Sequence, residues 1–158
     1  MEDAAIVWLN ARLPKKRAIA QALLRDLDRR VLLCELTYKA AWDLPGGVLE
    51  ENESPRHGCL REVREELGVE LPSARLLAVN WMSSWRGWDD ACTFLFDGGV
   101  HPADLVDRLV LQRREIMAVH WCTPEQVRSR AAPATARLLA TVERSDGDGT
   151  LYLEDGAH

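Results

Sequence analysis

The chain has 158 residues, 47% of them hydrophobic, and 20 lysines and arginines against 25 aspartates and glutamates give a formal net charge of −5. That length suits one domain with a sizeable core and is short for two. The acidic balance argues against a surface that tracks a nucleic-acid polymer, which needs basic patches, but leaves room for a nucleotide substrate whose charge a bound metal offsets.

Cys34, Cys59, Cys92 and Cys122 are widely spaced with no C-x-x-C pair, and they read as reduced core thiols of a cytoplasmic protein. No signal-peptide pattern opens the chain and no apolar run approaches the roughly 18 residues of a membrane span. The expected division is a leader or short helix over residues 1–14, one main domain over 15–145, and a tail over 146–158 packing on it.

In chain order, residues 2–13 place Ile6, Leu9 and Leu13 at helical spacing before Pro14. They form either a short amphipathic helix that docks on the domain or on a second subunit, or a leader. Arg17 to Leu24 and Val31 to Leu36 are apolar runs around the charged turn Arg25 to Arg30, as in a hairpin. Pro45-Gly46-Gly47 then makes a turn whose glycines let main-chain groups approach a ligand closely.

A helix follows, with Ser54 as N-cap, Pro55 at its first position and Gly68 just past its end, about 14 residues or roughly 20 Å long. Ala74 to Trp81 and Ala91 to Phe96 read as strands. Between them, Trp81, Trp85 and Trp88 fall within eight residues of a loop that also holds Arg86. Exposed indoles offer stacking faces for a nucleobase and Arg86 a partner for phosphate; a dimer contact is the competing use. Asp97 to Arg108 reads as a loop or short helical turn, and Ile116 to Cys122 as a strand. Pro124 to Arg128 and Ala134 to Val142 read as helices, the second covering the sheet face opposite the glutamate helix. Ser145 to Thr150 is a turn-rich spacer before an edge strand at Leu151 to Leu153.

The glutamate helix carries the chemistry. At about 100° per residue, Glu62, Glu65 and Glu66 share one arc beside the apolar set Cys59, Leu60, Val63 and Leu67. Carboxylates at i, i+3 and i+4 repel unless something positive holds them. A hard divalent cation with oxygen ligands meets that need. Gly58, one turn before Glu62, leaves room on this face for a metal-bound phosphate.

Gly47, Glu53, Arg61, Glu62, Glu65, Glu66 and Gly68, with aliphatic Val63 and Val69, fit G-x5-E-x7-R-E-U-x-E-E-x-G-U, where U is aliphatic. This resembles the signature of the Nudix hydrolase family, and seven such coincidences arise by chance about once in 10⁸ windows. The resemblance implies a mixed sheet sandwiched between helices and hydrolysis of a diphosphate linkage in a nucleoside diphosphate-X or nucleoside triphosphate. It implies Mg²⁺, with Mn²⁺ as substitute, held by Glu62, Glu65 and Glu66 with a main-chain contact from Gly46 or Gly47. Glu53 and Arg61 are then the pair that holds loop and helix together. Many members carry a further glutamate about six residues ahead of a strand tryptophan; Glu115 holds that place relative to Trp121. Glu65 and Glu115 both stand as candidates for the general base.

The substrate is not legible. A proline some 15 residues past the signature in many ADP-ribose hydrolases is replaced by Ser84, no tyrosine follows as in many dinucleoside polyphosphate hydrolases, and S-Q-P-W-P-x-x-S is absent. His57, His101, His120 and His158 have no metal-ligand spacing, and no G-x-S-x-G elbow or G-x4-G-K-[ST] loop occurs, against serine-hydrolase and P-loop chemistry. The alternative is a ligand-binding or regulatory module of the same fold without turnover, and a homodimer is the assembly left open. A prenyl-diphosphate isomerase on this fold would carry an altered signature.

Overall fold

One strand, β1 (Arg17–Asp26), organises the rest. Six of its ten residues are apolar, and alternate residues serve two cores. Ala20, Ala22 and Leu24 belong to one apolar cluster and Leu23 to the other. In the computed structural model, which describes residues 2–145, 147 and 149–158, β1 is central to a seven-stranded mixed sheet. Met1, and Asp146 and Asp148 of the expected spacer, lie outside the described residues.

The hairpin partner β2 (Val31–Leu36) is antiparallel to β1 but touches it only at its far end, where Arg25 pairs with Val31. The near half of that edge is taken by β3 (Gly46–Val48), pairing Ile19 with Val48 and Gln21 with Gly46. A short strand thus stands where the sequence predicts only a turn. The helix α2 (Pro55–Leu67) follows, then β4 (Arg75–Met82) and β5 (Ala91–His101). β5 lies parallel to β1 from Arg17↔Ala91 to Asp26↔His101. It runs five residues past the expected end at Phe96, because Gly98 has no Cβ to collide with Leu24 Cδ1, 2.6 Å from where one would stand. After a 3₁₀ turn at Ala103–Asp107 come β6 (Ile116–Cys122), two helices α3 (Pro124–Arg130) and α4 (Pro133–Arg144), and the edge strand β7 (Leu151–Glu154). The strand order is β6-β2-β1-β5-β4-β7.

Helices cover both faces. Cys59, Val63 and Leu67 of α2 pack with Ala20, Leu24, Leu32 and Phe96, while Leu138, Leu139 and Val142 of α4 pack with Leu23, Leu33, Leu77 and Leu95. This is the α/β sandwich that the sequence implies. The N-terminal helix α1 (Glu2–Asn10) leaves residues 3–16 exposed. It does not dock on the domain. All four cysteines are free. Among the described residues, no helix is long and apolar enough to cross a membrane.

Candidate active site

Local chemistry sets α2 in place. The Ser54 side chain accepts from His57 N–H at the start, and Gly68 closes the end with left-handed φ 69°. The helix buries Cys59, Val63 and Leu67, which turns Glu66 toward the sheet. Glu66 is 5% exposed, and its Oε2 accepts the Gly46 N–H of β3 at 2.9 Å. Burial raises its carboxyl pKa from the ordinary 4.5 to about 8. The Gly46 N–H opposes that rise, while the charges of Glu62, Glu115 and Asp43 add to it. Glu62 is also raised, by burial first, with Arg61 pulling the other way.

Arg61 is the cation among these acids. It donates to both oxygens of Glu53, at 2.6 and 3.0 Å, and through Nη1 to Glu62 Oε1 and Glu65 Oε2, each at 3.0 Å. Those hydrogen bonds hold the Glu53 carboxyl down to about 2, and Glu53 Oε2 also accepts the Glu50 N–H at 2.9 Å. The pair therefore ties the loop before α2 to the helix itself. Glu65 is the outermost of the three glutamates, with nearly half its side chain exposed.

Three glycines let these groups approach. A Cβ on Gly46, at φ 145°, would stand 2.1 Å from Ala20 O, and one on Gly47 would stand 2.7 Å from Glu62 Oε1. A Cβ on Gly58 would meet Leu49 Cδ2 at 2.2 Å and Glu53 Oε2 at 3.0 Å. Gly58 is buried and makes room for the loop, not for a phosphate as its helical position suggests.

A NUDIX domain model matches residues 15–142. The chain belongs to the Nudix hydrolase family. A MutT-like protein of Streptomyces ambofaciens is 34% identical over 143 residues, covering 89% of this chain and 84% of that protein. The CTP pyrophosphohydrolase of Escherichia coli (strain K12) is 31% identical over 123 residues, covering 75% and 85%. Among solved structures, the MutT protein of Methanosarcina mazei Go1 superposes with TM-score 0.67 at 25% identity, covering 84% of this chain and 96% of that one.

The Nudix helix overlooks a cleft of about 290 Å³, lined at one end by Glu66, Gly46 and Gly47 and at the other by Arg17, Met82 and Thr93. Tyr38, Lys39, Gln21 and Asp43 also line it. Asp43 accepts from Gln21, Lys39 and Thr135 at 3.2, 2.9 and 2.8 Å and so knits the wall together. Sequence reasoning missed Arg17, Tyr38 and Asp43; none lies in a motif, and their meeting depends on strand pairing. A larger cavity of about 460 Å³ lies away from the glutamates, where Arg25 and Arg29 already pair with Glu143.

Glu115 sits in the segment pinned to the end of α2 by Gln112 N–H donating to Glu66 O at 2.9 Å. Its charge adds to the rise at Glu62 and Glu66. Among the described residues no three His, Cys, Asp or Glu side chains are gathered as a metal-holding group. The reason is visible: Glu62 and Glu65 lean on Arg61, while Glu66 leans on Gly46. The donor set still fits a hard divalent cation. Two carboxyls raised by burial and like charge stand at a backbone cradle that a Cβ at Gly47 would fill.

The tryptophans diverge. Trp81 lies inside β4, half-buried, and its indole N–H donates to Asp90 Oδ2 at 2.8 Å. Trp85 and Trp88 are 64% and 61% exposed and exchange two backbone hydrogen bonds across Arg86-Gly87. Arg86 at φ 49° and Gly87 at φ 85° make this a type I′-like hairpin tip, not an irregular loop. Neither indole lines the cleft, but Arg17 does, with its guanidinium 4.6 Å from the Trp88 ring. Arg86 stacks on Trp85 at 4.3 Å.

Proposed function

We propose that this chain hydrolyses the diphosphate linkage of a nucleoside triphosphate or nucleoside diphosphate-X, using Mg²⁺ or Mn²⁺. The observation that carries this reading is Glu66, buried at the cleft with its carboxyl raised to about 8 and hydrogen-bonded to the Gly46 amide. A buried carboxyl facing like charges is a group prepared to trade its proton for a cation.

Glu62, Glu65 and Glu66 would hold the cation, with the main chain at Gly46 and Gly47 beside them. Bound there, it supplies charge neutralisation on the phosphate oxygens and an activated water. Arg61 keeps Glu62 and Glu65 oriented through its 3.0 Å contacts, and Glu53 fixes Arg61. Of the two base candidates, Glu65 is engaged by Arg61, whereas Glu115 makes no ion pair among the described residues. Glu115 is therefore the freer of the two carboxylates to take the proton from water. Arg17 and the Trp85–Trp88 ribbon would hold the part of the substrate remote from the reacting phosphates.

The likeness to a CTP pyrophosphohydrolase supports a nucleotide substrate. The test is product release from nucleoside triphosphates, nucleotide sugars, ADP-ribose, dinucleoside polyphosphates and prenyl diphosphates, with Mg²⁺ and with chelator. Metal-dependent turnover of a nucleotide class supports the proposal; binding of a panel member without turnover would favour a ligand-binding module.

A further inference from the structure

Among the described residues, two cations line the glutamate cleft, Arg17 and Lys39. They stand at opposite ends of it. Lys39 donates to Asp43, which also accepts from Gln21, and Gln21 lies in register with Gly46 beside Glu66. Arg17 precedes Gln21 by four residues on the same face of β1, about 13 Å along an extended strand. That separation suits one nucleoside running from a phosphate at the glutamates to the far edge of its base.

The chain holds Arg17 in place from several sides. Its Nη2 donates to the Asp89 carbonyl at 3.1 Å, and its guanidinium stands 4.6 Å from the centre of the Trp88 ring. Asp90, the next residue, is itself bonded by Lys16 and by the Trp81 indole. Yet among the described residues Arg17 has no carboxylate partner, and its Nε is buried without an acceptor. The buried Nε and the engaged N–H of Nη2 leave Nη1 and the second N–H of Nη2 for the cleft. Such a fork calls for two adjacent acceptors.

The surroundings favour a base over a second phosphate at this end. Ile19 and Met82 line the cleft near Arg17, and the Thr93 hydroxyl there donates to the Met82 sulfur at 3.2 Å. A phosphate would give up its water among these groups for a single cation, which is costly, whereas a neutral planar base gives up little. Gln21 and Lys39 are engaged by Asp43, so reading the base falls to Arg17.

We propose that Arg17 reads the base of the substrate and selects one with two adjacent hydrogen-bond acceptors. Guanine offers O6 with N7, and cytosine O2 with N3. In adenine N1 and N7 each adjoin the N6 amine, and in uracil both carbonyls flank N3–H, so either base sets a donor against the fork. This selectivity rests on the nucleotide reading of the cleft and adds to it the class of base.

Isothermal titration calorimetry with GMP, CMP, AMP and UMP in Mg²⁺ reads the base without turnover. GMP or CMP should bind at least about tenfold tighter than AMP and UMP, the discrimination one bidentate contact supplies. Arg17→Lys keeps the charge but not the fork, and with its fold checked by circular dichroism it should bring all four to about the same affinity. The wild type alone identifies the edge that is read: 7-deaza-GMP, which lacks N7, should bind more weakly than GMP if guanine is preferred, and UMP more weakly than CMP if cytosine is. Equal affinities for the four, tighter binding of AMP or UMP, no binding of any, or a preference that survives Arg17→Lys would each overturn the proposal. So would a nucleoside 3′,5′-bisphosphate that binds tighter than its 5′-monophosphate only with Arg17 present, which would assign Arg17 to a phosphate. Turnover of the four nucleoside triphosphates separates the two readings. Hydrolysis with equal kcat/KM would sink base selection and leave the catalytic reading standing, and base-selective binding without hydrolysis would do the reverse.

Discussion

Glu53 and Arg61 meet through two hydrogen bonds of 2.6 and 3.0 Å, with side chains 7% and 12% exposed. The same guanidinium reaches Glu62 and Glu65, so one cation braces the loop and aims two carboxylates. Removing it leaves Glu53 buried and unpaired. Arg61→Met is expected to cost about 3 kcal/mol in urea unfolding. Arg61→Lys should fall between the two, because an ammonium cannot make the two-pronged contact. The double variant Glu53→Gln/Arg61→Met should cost less than the sum of the singles, and additive losses would deny the pairing.

Glu66 makes the metal-free protein sensitive to pH. Its carboxyl is raised in the folded state, from 4.5 to about 8. Below pH 4.5 both folded and unfolded states carry the proton, and folding is not penalised by this group. Between 4.5 and 8 the unfolded chain ionises first, so stability falls by up to about 1.4 kcal/mol per pH unit and levels off above 8. In chelator, unfolding free energy should decline across this window, and Glu66→Gln should flatten the decline. Equal slopes in the two proteins would contradict the assigned burial.

Adjacent glycines should behave differently. Gly46→Ala forces a side chain at φ 145° into the Ala20 carbonyl and should destabilise the fold by about 3 kcal/mol or more. Gly47→Ala meets only the tip of Glu62, which can move. Thermal denaturation should therefore be close to wild type for Gly47→Ala while turnover falls at least tenfold.

The tryptophan ribbon makes a third separation. Trp88→Ala and Arg17→Ala should raise KM roughly tenfold or more with kcat little changed, as expected if stacking worth about 1–3 kcal/mol is lost. Trp81→Phe removes the hydrogen bond to Asp90 and should cost about 1 kcal/mol of stability with KM unchanged. An unchanged KM in Trp88→Ala would remove the ribbon from substrate binding.

What could be read in the sequence was local. Ser54, Pro55 and Gly68 mark the ends of α2 in the chain itself, and the spacing of Glu62, Glu65 and Glu66 follows from helical geometry. The cleft was not readable, because Arg17 and Thr93 meet Glu66 only through the parallel pairing of β1 with β5 and the partition of one edge of β1 between β2 and β3. Gly58 misled for the same reason: its neighbour Leu49 arrives from the preceding loop. The hairpin at Trp85–Trp88 was hidden by Arg86, since such turns more often carry Asn or Asp at that position.

The central claim is that the glutamates of α2 cleave a diphosphate bond through a divalent cation. The most direct measurement is nucleotide hydrolysis by wild type and Glu66→Gln over a Mg²⁺ titration, with folding of both checked by circular dichroism. The account expects turnover in the wild type that vanishes in chelator, and a folded Glu66→Gln whose kcat falls at least a hundredfold at every Mg²⁺ concentration. Wild-type turnover that persists in chelator, or a Glu66→Gln as active as wild type, would contradict it.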